Sequence, residues 1–169
     1  MAKIKRKNIV VDMEDCVGCE VCESVCSMAH DDKFNPINSR ITRVRIEPVL
    51  NTAMACQLCP KPDCVSSCLL NALKQDPESN RINVDDDICD GCGSCVKACP
   101  FGVIVIHTEK NIALFCDLCE NTEAGEPQCI AYCPKEAIHL VENEVDEDED
   151  PVKATVKLYQ GPFPEKASS

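Results

Sequence analysis

Cys89-Asp90-Gly91-Cys92-Gly93-Ser94-Cys95-Val96-Lys97-Ala98-Cys99-Pro100 is the stretch that decides how the rest of the chain is read. Three thiols at intervals of three residues can surround one compact body only if the backbone curls about it. Gly91 and Gly93 lie between those thiols, where the backbone must pass close to whatever they hold. Curling of this kind also turns amide N–H groups toward the sulfurs and offsets part of their negative charge. Outward from this run, the same spacing recurs at Cys16, Cys19, Cys22 and Cys26, with Gly18 inside it. Cys56, Cys59, Cys64 and Cys68 form a version with a longer second gap, and Cys116, Cys119, Cys129 and Cys133 one that is longer still. Every group ends in C-x3-C, so the chain carries an internal repeat, and all 16 cysteines belong to it.

Four thiolates on tetrahedral directions are what a cubane [4Fe–4S] cluster requires, and the fourth cysteine of such a run ligates the second cluster of a pair. Pro100 and Pro134 directly follow the last cysteines of their groups, as in bacterial ferredoxins, whereas Ser27 and Leu69 take that place in the other two. Zinc is the competing metal. The second and fourth groups could each be cut into the paired C-x2-C arrangement of a zinc site, but the first and third leave extra thiols beside any zinc ion. A disulfide scaffold belongs to an oxidising compartment, yet Met1 to Val10 is basic and holds no apolar run of signal-peptide length. The pattern therefore implies four [4Fe–4S] clusters.

Bulk composition agrees with a metal-filled scaffold. The 169 residues include no tryptophan, and aromatic residues make up 4%. A chain so poor in large core side chains needs staples or a partner. The formal charge of -12 becomes roughly -20 once the cysteines are thiolates around four oxidised cubanes. That charge excludes nucleic acid as a partner. No stretch is long enough to cross a bilayer, so a cytoplasmic location without direct membrane insertion is expected. His30, His107 and His139 are isolated in the sequence and read as surface or packing residues, and no catalytic residue is expected. Phe34, Phe101, Phe115 and Tyr132 read as shields or gap-fillers around the clusters.

Between the cysteine groups, Leu73 to Val84 reads as a hairpin and Arg40 to Ile46 as a strand. The last cysteine of each group is expected in the first turns of a short helix. Glu142 to Asp150 is nearly all acidic and reads as a solvated linker. Beyond it Val152, Ala154, Val156 and Leu158 alternate with Lys153, Thr155, Lys157 and Tyr159, a strand pattern that would pair with this fold's edge or with a neighbouring subunit. Gly161 to Ser169 reads as an unstructured end.

Taken with their flanking residues, Asp15-Cys16-Val17-Gly18-Cys19, Cys56-Gln57-Leu58-Cys59 with Pro62-Asp63-Cys64, Asp90-Gly91-Cys92-Gly93-Ser94-Cys95, and Cys116-Asp117-Leu118-Cys119 with Pro127-Gln128-Cys129 and Cys133-Pro134 carry a family resemblance. Over about residues 9–141 the chain resembles the four-cluster ferredoxin-like electron-transfer subunits of the dimethyl-sulfoxide-reductase type. The resemblance implies an α+β fold: two bacterial-ferredoxin-like dicluster units in a nested arrangement, with short helices and β-hairpins around four cubanes. It implies a four-cluster domain over 1–141, with an outer unit of about 9–30 and 110–141 and an inner unit of about 50–108. An acidic linker over 142–151 and a strand and tail over 152–169 would follow. It also implies that Cys16, Cys19 and Cys22 share a cluster with Cys133, and Cys26 with Cys116, Cys119 and Cys129. In the inner unit Cys56, Cys59 and Cys64 would share with Cys99, and Cys68 with Cys89, Cys92 and Cys95. Spacing alone leaves open a second arrangement, in which neighbouring groups pair as beads on a string.

The function so implied is relay of single electrons between a large catalytic oxidoreductase subunit and a further redox subunit or soluble ferredoxin. The catalytic subunit, held permanently, would be a tungsten or molybdenum pterin enzyme such as an aldehyde or formate oxidoreductase, a hydrogenase or a carbon monoxide dehydrogenase. A free polyferredoxin shuttling between enzymes is the alternative, and a structural zinc scaffold the remote one.

Overall fold

A computed structural model of the protein describes residues 3–46 and 50–161. Its longest strand, Lys3–Val11 (β1), runs antiparallel to Ile138–Asp146 (β8), with Lys3 opposite Asp146 and Val11 opposite Ile138. Apolar residues at one end and opposite charges at the other fix this register. Ile9, Val10 and Val11 are fully buried, while Lys3 and Lys5 face Glu144 and Lys7 faces Glu142 across the ladder. Cross-strand pairs of opposite charge stabilise a ladder modestly. The solvated linker expected from Glu142 onward is therefore strand as far as Asp146. The acidic run finds its partners in the basic start of the chain.

Between these two strands the elements follow in order: Val21–Asp31 (α1), a 3-10 turn at Pro36–Asn38, Ile41–Ile46 (β2), Leu50–Ala55 (β3), Asp63–Ser66 (α2), Leu73–Gln75 (β4), Ile82–Val84 (β5), Ser94–Ala98 (α3), Val105–Ile106 (β6), Ala113–Leu114 (β7) and Gln128–Ala131 (α4). Each sheet among the described residues has two strands: β1 with β8, β2 with β3, β4 with β5, and β6 with β7. The hairpin expected over Leu73 to Val84 is present with Leu73 opposite Val84, and the strand expected from Arg40 is β2. The short helices carry the third cysteine of each group, Cys22, Cys64, Cys95 and Cys129. This corrects the expectation that they carry the last. Cys68, Cys99 and Cys133 follow their helices, and only Cys26 lies inside one. Ser27, standing where proline would break the helix, is fully buried within α1 and lets it continue to Asp31.

The strand expected at Val152 to Tyr159 is instead the helix Pro151–Gln160 (α5). Asp150 accepts a hydrogen bond from the Lys153 amide at 2.9 Å, and Pro151 occupies the first helical position. Both are helix-start signals. Ala154 and Thr155 are buried, and with Leu158 they have helical spacing, which the alternating pattern concealed. Residues 162–169, which hold most of the expected unstructured end, lie outside the described residues.

Two apolar cores result. One joins Ile9, Val11, Ile41, Leu118 and Ile138 to buried Cys26 and Cys129, with Cys16, Cys22, Cys116 and Cys133 packed around it. The other joins Leu73, Ile82, Ile104 and Phe115 to Cys64 and Cys95, with Cys56, Cys68, Cys89 and Cys99 around it. The first cysteine group thus packs with the fourth and the second with the third. The fold is α+β with two ferredoxin-like dicluster units, one nested within the other.

Candidate metal centres

The four cysteine loops share a left-handed residue at one position. The residue before the second cysteine is left-handed in each: Gly18 at φ 67°, Leu58 at 48°, Gly91 at 68° and Leu118 at 57°. For a leucine this conformation costs about 1–2 kcal/mol. Burial of both leucine side chains offsets that cost, leaving Leu58 2% and Leu118 8% exposed. The turn brings the amides of Leu58 and Leu118 onto the thiols of Cys56 and Cys116 as hydrogen-bond donors. Further backbone amides reach sulfurs from elsewhere in the fold. Arg40 N–H donates to Cys26 Sγ at 3.3 Å, Ala113 N–H to Cys89 Sγ at 3.4 Å and Ala137 N–H to Cys133 Sγ at 3.3 Å. These are the donors that a cluster's sulfurs require.

All sixteen thiols are free of disulfides, and the structure gathers them into quartets. Cys16, Cys19, Cys22 and Cys133 border one cavity, the first quartet. Cys56, Cys59, Cys64 and Cys99 border another, and Cys68, Cys89, Cys92 and Cys95 a further one. We number these the third and fourth. Cys26, Cys116, Cys119 and Cys129 are brought together in the interior as the second quartet, where the charges of the other three act on Cys129. Each cavity joins thiols of the first and fourth groups or of the second and third, and not of the neighbouring first and second. Among the described residues no three His, Cys, Asp or Glu side chains converge tightly enough to hold a single metal ion.

Burial makes these thiols reluctant to ionise by themselves. It pushes Cys22, Cys64 and Cys116 up to about 12 and Cys59 to about 11, with neighbouring thiols adding to the effect. A buried thiol becomes a thiolate only beside compensating positive charge. A polynuclear iron body supplies that charge, so the donor set, its cavities and its amide donors fit [4Fe–4S] clusters.

Cys26 is the exception among the buried thiols. Burial raises its pKa, but a bond from His30, the His30 charge and the Arg40 amide together lower it. The sequence shows His30 only as an isolated histidine. The available signal was its position four residues after Cys26, on the same face of α1. His107 is buried as well, with Nε2 3.3 Å from Asp31 Oδ1 and Nδ1 accepting the Glu109 amide at 3.0 Å, a packing role as expected. Phe101 and Phe115 border the third quartet's cavity. Phe34 and Tyr132 do not shield clusters by burial, being 72% and 61% exposed.

No helix among the described residues is long and apolar enough to cross a membrane. Residues 49–143 match a family model described as a 4Fe-4S dicluster domain, and residues 13–29 one described as a 4Fe-4S binding domain. The chain is 36% identical over 125 residues to the polyferredoxin-like subunit of an aliphatic sulfonate oxidoreductase from Pyrococcus furiosus, covering 74% of this chain and 70% of that one. It is 30% identical over 155 residues to the electron transport protein HydN of Escherichia coli, covering 79% and 87%. It spans 21% of the length of two longer E. coli relatives, UacF and AegA. In fold it is similar to a chain of the BamBC active-site complex of benzoyl coenzyme A reductase, with TM-score 0.52 and 22% identity, covering 94% of this chain and 90% of that one. The chain belongs to the 4Fe-4S dicluster family of ferredoxin-like electron-transfer proteins.

Proposed function

We propose that the chain is the wiring subunit of an oxidoreductase, holding four [4Fe–4S] clusters in a line, with each quartet supplying the four ligands of one cluster. When bound, such clusters supply one-electron carriers whose potentials the protein tunes. The observation that carries the reading is the order of the quartets. Cys129 of the second feels the charge of Cys22 of the first, Cys56 of the third that of Cys116 of the second, and Cys64 of the third that of Cys95 of the fourth. The two exposed cysteines, Cys19 and Cys92, belong to the first and fourth quartets. A line whose two exposed members lie at its opposite ends has an entry and an exit.

Both ends also present apolar side chains for contact with other proteins. Val17 and Tyr132 are exposed beside the first quartet, and Leu69, Leu70 and Ile88 beside the fourth. A large catalytic subunit, of the tungsten or molybdenum pterin or hydrogenase kind, would sit at one end and a further redox subunit or soluble ferredoxin at the other. The Pyrococcus relative, named as a subunit of a sulfonate oxidoreductase, supports a place in such a complex.

Native mass spectrometry of the untagged protein, enriched anaerobically from its source cells, tests the reading. A complex containing a large subunit is expected. A lone chain with its iron intact would favour the free polyferredoxin, and a lone chain with zinc and no sulfide would overturn the cluster reading.

A further inference from the structure

Arg6 is 2% exposed, although it lies in the basic start of the chain, where a solvated side chain would be ordinary. Its Nη1 donates to the Gln57 carbonyl at 2.9 Å, and Asn8 Nδ2 donates to the same oxygen at 2.9 Å. Gln57 is held from other sides too, since its Nε2 donates to the Ala55 carbonyl and its Oε1 accepts from Thr155 of α5. β1 and α5 therefore clamp the loop from Cys56 to Cys59. The other guanidinium nitrogens, Nε and Nη2, are buried without a hydrogen-bond partner. Burying a cation and leaving two of its donors unpaired is unfavourable unless a counter-charge is at hand.

The candidates for that counter-charge are few. The charges that act on Arg6 are those of Cys59 and Glu149, and Glu149 is already paired with Lys157. The groove that Arg6 also borders contains Glu78, Glu120, Glu142 and Glu144 beside Lys5, Lys7 and Arg81. It has no surplus positive charge with which to attract a small anion. The third quartet, loaded and negative, is what remains.

We infer that the Arg6 guanidinium is the resident counter-charge of the third quartet, a positioning residue that raises the reduction potential of the cluster held by Cys56, Cys59, Cys64 and Cys99. A fixed cation in a poorly solvated site stabilises the reduced, more negative state over the oxidised one. This inference rests on the proposed cluster ligation.

The test is a redox titration of the full-length, anaerobically prepared protein, followed by electron paramagnetic resonance, for the wild type, Arg6→Gln and Arg6→Lys. Arg6→Gln should make one cluster about tenfold harder to reduce, a downward shift of about 59 mV for one electron. Arg6→Lys should recover most of that shift. The signal that moves should be the one altered by Cys59→Ser. An Arg6→Gln protein with full iron and unmoved potentials overturns the inference, as do equal shifts in the Gln and Lys variants. If Arg6→Gln loses iron, restoration by Arg6→Lys supports a charge role and equal loss in both overturns it. A wild type without clusters overturns the ligation itself, a failure distinct from an unmoved potential.

Discussion

His30 and Asp117, 87 residues apart in the chain, meet with Nε2 of the imidazole 2.9 Å from Oδ1 of the carboxylate. The other ring nitrogen, Nδ1, lies 2.8 Å from the Cys26 carbonyl oxygen. Both partners can only accept, so both ring nitrogens carry protons and His30 is an imidazolium. Asp117 also pairs with Arg40 at 3.1 Å, and the Arg40 amide donates to Cys26 Sγ. The network joins α1, the start of β2 and the loop between Cys116 and Cys119 around the second quartet. It places two cations beside one carboxylate where the thiolates of that quartet concentrate negative charge.

The network sets a pH dependence of stability. Burial lowers the His30 pKa, but the bonds to Asp117 and Cys26 outweigh it and push it up to about 9, above its ordinary value of about 6.5. A raised pKa means that folding takes up a proton. The stabilisation is fully present below about pH 6.5 and is lost as pH rises through about 9. His30→Gln should cost about 2 kcal/mol near pH 6 and little above pH 9. Anaerobic thermal unfolding across this range measures it, and parallel profiles for wild type and variant would contradict the network.

Gly91 and Gly93 flank Cys92, yet they should respond differently to alanine. A Cβ on Gly91 would lie 2.5 Å from the Asn111 carbonyl oxygen, whereas one on Gly93 meets nothing within 4 Å. Gly91→Ala should displace the Cys89–Cys92 loop and lower iron from about sixteen to about twelve atoms per chain. Gly93→Ala should retain the iron and cost about 1–2 kcal/mol of backbone strain. Iron analysis of the two variants decides this, and equal iron contents would show that the Asn111 contact does not hold the loop.

Asp150 caps α5, and α5 in turn supports Gln57 through Thr155. Asp150→Ala should cost about 1 kcal/mol, and amide exchange over residues 154–160 should accelerate about fivefold. Exchange that does not change would mean that packing against β1, rather than the cap, holds the helix.

The cysteine loops were legible in the spacing, because four repeated loops declare themselves locally. Which groups pack together was not, because that depends on contacts between distant parts of the chain. Like the loops, the hairpin from Leu73 and the strand from Arg40 were legible, being short-range patterns. The pairing of β1 with β8 was not. Lys3 and Asp146 are remote from one another in the sequence, and an acidic run looks like a linker until its basic partner is brought beside it. α5 was misread because ten residues contain too few turns to separate alternation from helical spacing, although Asp150 and Pro151 mark its start. Leu58 and Leu118 stand where glycine stands in the other two loops, and only the backbone shows that they adopt glycine's conformation. His30 and Arg6 acquire their roles from elements remote in sequence, and no local pattern announces either.

Iron and acid-labile sulfide per chain, measured on anaerobically purified protein alongside its electron paramagnetic resonance spectrum during stepwise reduction, test the central claim most directly. About sixteen iron and about sixteen sulfide per chain are expected, with spectra that broaden as neighbouring clusters in the line become reduced together. About eight of each, or bound zinc without sulfide, would contradict four clusters held by sixteen cysteines.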